Sequence, residues 1–396
     1  MTTTLLPATW LITLIVGLPQ LAETVYTPSL PDIAHALNTS ESMVEYTLTI
    51  YLLSFAIGTF FGGIVSDKFG RKPCVVSGLF IFILGCLSCY LSTTIEMLLL
   101  SRFIQGLGGS IGSVLGQAIC RDAFHGPDIG KIYASIASAL ALFLAIGPVI
   151  GGFIAENYGW SNIFVFLMIF TLFLNLIIIN KLPETHVKSN WVSISIREVI
   201  SAMLRDKKVI GYSLIIGGCS GIAFSYYAEG SFYLIEQLDL SPSKYGLSFI
   251  LIALSASSGA LISKRLLNKY ESKTIMGYGL ILYICTTSIF SFLVIIHSNF
   301  YEFPKNLMVV FTILNQMIVM CANCLTSSNA LAVALVDYKR CIGTSSSFFG
   351  CFYYIIASLI TFGIGSLHNG TLLVMPLYFL SISIFMYFVN KILIKQ

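Results

Sequence analysis

Twelve apolar runs divide this chain, each long enough to cross a bilayer, with short polar stretches between them. They fall near residues 9–31, 43–66, 73–92, 96–119, 131–154, 161–181, 209–235, 245–267, 274–297, 305–330, 342–366 and 371–393. A helix needs roughly 20 apolar residues to span the hydrocarbon core. Composition agrees: 10% of the residues are charged, against about 25% in an ordinary soluble domain. There is too little polar surface to cover a globule of this size. The expected fold is an all-α polytopic membrane protein with twelve transmembrane helices.

The loops test that count. Placing both termini in the cytoplasm puts every Lys and Arg except Arg102, Lys244 and Lys305 in or beside cytoplasmic loops. Such asymmetry is the positive-inside rule, and a different helix count would scramble it. The longest polar segment divides the chain into a six-helix half at 1–182, a linker at 183–208 and a second half at 209–396. Trp191, Ile194 and Ile196 mark a candidate interfacial helix in the linker. The halves are pseudo-symmetric: GGIVSDKFGRK from Gly62 is similar to GALISKRLLNK from Gly259, and Ala22-Glu23 is matched by Ala228-Glu229. The first run, with no basic segment before it, reads as a retained helix rather than a signal peptide.

Several functions are disfavoured. The net charge of +4 is spread through short loops, so no nucleic-acid surface is expected. Cys86-x-x-Cys89 and Cys321-x-x-Cys324 each place two thiols on one helix face, with no histidine or second pair nearby, and read as packing residues. His35, His125, His186, His297 and His368 fall in loops or at helix ends. No catalytic constellation, nucleotide loop or metal-ligand spacing appears. An enzyme is not expected, nor a metal.

Charges inside apolar runs are expensive and mark function. Glu23 lies in the first run and Glu229 in the seventh. A carboxyl group held away from water is costly to ionise, so it can take up and release a proton as its access to water changes. It can also face a cationic substrate. Alternatively, Glu23 snorkels from a helix end made irregular by Pro19, Pro28 and Pro31. The two acids are expected on facing helices of the two halves. Arg102 stays charged and needs an acid, a carbonyl or water as partner. Glu45 reads as an interfacial residue.

GGIVSDKFGRKP, with Gly63, Asp67, Gly70, Arg71 and Lys72, resembles the loop signature of the major facilitator superfamily. LLLSRFIQGLGGS, with Arg102 and Gln105, is similar to the family's helix 4 motif. AIGPVIGG, with Gly147, Pro148, Gly151 and Gly152, is similar to its helix 5 antiporter motif. ETVYTPSLPDIA, CRDAF and LPET resemble the Bcr/CflA drug-resistance branch. The chain departs from these patterns at Phe143 and Leu144, at Glu229-Gly230-Ser231-Phe232, and at Lys264, which stands where the first repeat has Asp67. The resemblance implies alternating access, with Arg102 taking part in proton coupling. It also implies gating by Asp67 and Arg71, where Asp67 caps a helix or pairs with Arg71 or Arg121.

Polar and aromatic residues in the spans are candidates for a cavity wall: Gln20, Tyr26, Gln105, Gln117, Tyr226, Tyr227, Asn315, Gln316, Asn323, Phe348, Phe349 and Tyr353. Such a wall suits a small amphipathic organic molecule. The expected function is a proton-coupled exporter, monomeric, in a bacterial inner membrane, with protons as coupling ion and no other cofactor. Proton-coupled uptake of a nutrient or iron chelate is the alternative.

Overall fold

The computed structural model describes residues 6–124, 127–185 and 196–394. The helices run α1 Thr9–Thr24, α2 Leu30–Ala36, α3 Glu41–Phe69, α4 Arg71–Tyr90, α5 Ile95–Ala123, α6 Pro127–Tyr158 and α7 Asn162–Lys181. They continue as α8 Ile196–Arg205, α9 Lys207–Ser231, α10 Pro242–Leu266, α11 Ser272–Asn299, α12 Lys305–Ala334, α13 Ile342–Leu367 and α14 Val374–Val389. Among the described residues, eleven helices are long and apolar enough to cross a membrane: α3 to α7 and α9 to α14.

The first apolar run is the exception. It breaks into α1, a 3-10 turn at Thr27–Ser29, and α2. Pro28 and Pro31 have no N–H, so the ladder loses two donors here. Neighbouring hydroxyls take up carbonyls instead. Thr27 Oγ1 donates to the Thr24 carbonyl at 3.0 Å and Ser29 Oγ to the Tyr26 carbonyl at 2.7 Å. At 16 residues, α1 is too short to span alone. In the linker, α8 begins at Ile196; Trp191 and Ile194, like His125 and His186, lie outside the described residues.

Other helix ends follow local chemistry. Ser40, Thr94, Ser241 and Asp206 cap α3, α5, α10 and α9, each accepting a backbone N–H of the first turn. Gly70 stops α3 at φ +98°, a conformation that glycine adopts without strain.

α3 packs against α5 and α13, and α6 against α1 and α10. Glycines allow the closest approaches: a Cβ at Gly152 would collide with the Pro242 carbonyl, and one at Gly246 with the Pro148 carbonyl. Two buried apolar clusters result. One is built from residues 11–182 together with Phe232. The other gathers residues from 199 onward with Leu48, Tyr51, Leu52 and Phe55 of α3 and Leu144 of α6. Large apolar side chains such as Phe80, Phe173, Leu254 and Phe292 point outward, as a bilayer requires. Below, the basic end is the end holding the α3–α4 turn, and the far end is the opposite one.

Candidate functional site

A cavity of about 310 Å³ opens between α1, α3 and α5 on one side and α12 and α13 on the other. Glu23, in the last turn of α1 and 3% exposed, lines it. Among the described residues its carboxylate has neither a hydrogen bond nor an ion pair. Phe55, Phe349, Tyr353 and Tyr354 supply an aromatic wall, Gln20 and Gln117 add amides, and Arg121 lines the cavity from the last turn of α5. The cavity therefore runs from Glu23 to the basic end. Two glycines of α6 back the Glu23 segment. A Cβ at Gly147 would overlap the Thr24 side chain, and one at Gly151 the Val25 carbonyl. Pro148 lies between them in α6.

Of the residues expected to form the wall, Gln20, Gln117, Phe349 and Tyr353 do so. The others lie outside its lining. Tyr226 and Tyr227 lie against Phe249, with ring centroids 6.0 and 5.7 Å away. Asn315 accepts from Thr286 Oγ1 at 3.0 Å, between α12 and α11. Phe348 stacks on Phe352. The half-buried Asn323 accepts a bond from Ser327 through its backbone carbonyl. Gln316 is fully buried with neither amide atom partnered; nothing in the structure explains it.

Tyr26 and Gln105 belong to Arg102. Its guanidinium lies between two rings, 4.5 Å from the Tyr26 centroid and 4.3 Å from that of Tyr51. A desolvated cation gains about 2 kcal/mol from such contacts. Nη1 donates to the Gln105 side-chain carbonyl, and Gln105 Nε2 donates to Cys86 Sγ at 3.1 Å. Tyr26 Oη is 2.7 Å from Thr47 Oγ1. Among the described residues, Nε and Nη2 of Arg102 have no hydrogen-bond partner. Its charge also acts through space on Glu23.

The expectation that Glu23 and Glu229 share a site is not met. Glu229, 1% exposed, lies in a separate cluster at the far end. Its Oε2 is 2.8 Å from His368 Nδ1. The other ring nitrogen, Nε2, is 2.5 Å from Glu41 Oε2. Glu45 completes the group, with Oε1 3.8 Å from His368 Nδ1. It is fully buried rather than interfacial, because α13 covers the first turns of α3. Burial works against a charged His368, but the hydrogen bond and charge of Glu229, then the charge of Glu41, outweigh it and raise its proton affinity above the usual histidine value. Sequence reading missed this group because Glu229 and His368 are 139 positions apart. The available signal was Glu41 and Glu45, one turn apart on one helix face. Further bonds cross the far end: His35 to Glu236 at 2.8 Å, Tyr46 to Ser366 at 2.9 Å, and Glu156 to Ser243.

At the basic end, Arg71 is the centre. It reaches Asp67 Oδ1 at 2.6 Å, Asp122 Oδ2 at 2.8 Å and Ser66 Oγ at 2.6 Å. Asp67 thus pairs with Arg71. The Glu184 carboxylate accepts from the backbone N–H groups of Arg71 and Lys72 at 2.9 and 3.1 Å, at the N-terminus of α4. A Cβ at Gly70 would stand 2.7 Å from Glu184 Oε2. Gly63 brings α3 close to α13, where a Cβ would be 3.1 Å from Ser347 Oγ.

Comparison with known proteins places this architecture. A protein of Rickettsia bellii (strain RML369-C) named as an uncharacterized transporter is 32% identical over 378 residues, spanning 95% of this chain and 93% of that protein. The Bicyclomycin resistance protein homolog of Haemophilus influenzae (strain ATCC 51907 / DSM 11121 / KW20 / Rd) is 26% identical over 348 residues, 86% of this chain and 84% of its own. That relationship agrees with the drug-resistance branch indicated by the motifs. A D-xylose-proton symporter of known structure superposes with a TM-score of 0.75 over 96% of both chains at 14% identity, a likeness of fold. The profile of the Major Facilitator Superfamily matches residues 12–362. With transmembrane helices packed around a central cavity, this chain belongs to the Major Facilitator Superfamily of membrane transporters.

Proposed function

We propose that the protein is a proton-coupled secondary transporter that exports small amphipathic organic compounds by alternating access. In this reading residues 1–182 and 209–396 rock as two six-helix halves joined by 183–208, with both termini and the basic end in the cytoplasm of a bacterial inner membrane. The observation that carries it is Glu23: a buried acid, unpaired among the described residues, on the wall of an aromatic cavity. A carboxylate there is tolerable when it faces water, a cationic substrate or a proton. A proton arriving from outside neutralises Glu23 and releases what its charge held. Coupling follows because the two orientations bind the proton and the substrate differently. Arg102 tunes the acid through space, and its two ring contacts keep it in place without neutralising it. Phe55, Phe349, Tyr353 and Tyr354 offer apolar faces, while Gln20 and Gln117 offer hydrogen bonds. The name of the Haemophilus influenzae relative supports efflux of antibiotics.

The test is transport in inside-out vesicles under an imposed proton gradient, with substrates drawn from a thermal-shift screen that begins with bicyclomycin. Uphill accumulation that collapses with a protonophore is expected, and Glu23→Gln should lower it at least about tenfold without lowering Tm. Normal pumping by Glu23→Gln rules out this coupling scheme. Accumulation only in right-side-out cells reverses the direction to uptake.

A further inference from the structure

Carboxylates at the far end outnumber the bases that face them. Glu41, Glu45 and Glu229 surround the single imidazole of His368. The next acid, Glu236, is bonded to His35. A doubly protonated His368 still leaves three carboxylates facing one positive charge. A buried surplus of that kind is relieved by bound protons or by another cation.

Glu45 points to where that cation belongs. Its side chain is 0% exposed and, among the described residues, no donor group reaches either oxygen of the carboxylate, which faces the Glu229 carboxyl instead. At 3.8 Å, its contact with His368 Nδ1 is too long for a hydrogen bond. The backbone of α13 closes over it: a Cβ at Gly365 would be 2.9 Å from Glu45 Oε2. Donor atoms of Glu45, Glu229 and His368 lie within 4.8 Å of one another. Around a tetrahedral ion at about 2.0–2.2 Å, ligand atoms stand about 3.4 Å apart, so the outermost pair closes by up to about 1.4 Å and the Glu229–His368 pair opens from 2.8 Å, within the reach of glutamate side chains.

Glu41 supplies the other half of such a site. His368 Nε2–H is donated to Glu41, while Nδ1–H faces Glu229 at 2.8 Å; an incoming cation displaces that proton to solvent and takes the Nδ1 lone pair. A carboxylate on the outer nitrogen is the arrangement that orients metal-ligating histidines. The Phe232 ring, 5.7 Å from the imidazole, shields it on one side.

We propose that Glu45, Glu229 and His368 bind one divalent transition-metal cation. One imidazole and two carboxylates suit Zn²⁺, with water in the fourth position; Mg²⁺ and Ca²⁺ favour all-oxygen sets. The ligands come from α3, α9 and the residue after α13, so the ion ties the first half of the chain to the second.

The test is calorimetric titration of the full-length, EDTA-stripped protein in detergent with ZnCl2, together with zinc-edge X-ray absorption. Saturable binding of one Zn²⁺ per chain is expected. Glu45→Gln and His368→Gln should each weaken it at least about tenfold, and Glu41→Gln by about tenfold through the imidazole. The Cys321→Ser/Cys324→Ser double variant should bind as the parent does. The absorption spectrum should show one imidazole and oxygen ligands at about 2.0–2.2 Å, without a sulfur shell near about 2.3 Å. This measurement on the parent protein decides the question even if a variant fails to fold. A sulfur shell, unchanged binding in both Glu45→Gln and His368→Gln, or no saturable binding overturns the assignment.

Discussion

The two ends of the molecule use charge in opposite ways. At the basic end one guanidinium gathers two carboxylates and a hydroxyl, and every member of that network comes from α3, α4, α5 or the residues just after α7. At the far end one imidazole faces three carboxylates drawn from both halves of the chain. The first satisfies its carboxylates with one guanidinium and with N–H groups at a helix start, and braces helices within one half. The second leaves Glu45 without a donor among the described residues and spans two halves. Under the proposed alternating access, an internal brace persists through rocking of the halves, whereas a cross-half tie must part when that end opens.

The contrast can be broken or sharpened by experiment. Arg71→Ala should have the largest effect on stability. It strands Asp67 and Asp122 and should cost about 2–3 kcal/mol, less than a fully buried pair because both carboxylates are partly exposed. Thermal unfolding in detergent reads this out; an unchanged Tm would mean that the network is no brace. Zn²⁺ at about 100 times its Kd should stabilise the parent by about 2.7 kcal/mol. The same shift should survive in Arg71→Ala and vanish in His368→Gln, and a shift retained in His368→Gln would erase the distinction between the ends.

Gly365→Ala should cost about 1–2 kcal/mol, because the new methyl presses on Glu45 and on the Tyr46 ring. Gly277→Ala is the matched control. It lies inside α11 with nothing near its Cβ position, so alanine should raise stability by about 0.5–1 kcal/mol. If both glycine variants melt together, close packing at the far end is not what distinguishes position 365.

How well each region could be read from sequence follows the same division. Asp67, Gly70 and Arg71 occupy five consecutive positions, so their turn and ion pair are local chemistry. Asp122 and Glu184 complete the network from distant helices, and only the CRDAF and LPET resemblances marked their segments. The far-end cluster is entirely tertiary. His368 looks like a loop residue and Glu45 like a headgroup neighbour until α13 folds over α3. In the cavity, sequence marks Phe348, Phe349 and Tyr353 as wall candidates without a direction: α13 turns Phe349 and Tyr353 inward and stacks Phe348 on Phe352. Counting spans succeeded where runs were unbroken. At the first run, Pro28 and Pro31 divide a single hydrophobic stretch into pieces, which hydropathy alone does not register.

The fit of α6 behind the first helix limits how this binding chamber can be remodelled. Any side chain at Gly147 or Gly151 drives into the strand of backbone that carries Glu23. That wall is fixed for geometric reasons and cannot be reshaped by substitution from behind. A differently shaped ligand must therefore be accommodated elsewhere on the wall, by exchanging Phe55 of α3 or Phe349, Tyr353 or Tyr354 of α13. Variation in what the chamber accepts is thereby separated in space from the buried acid of the first helix.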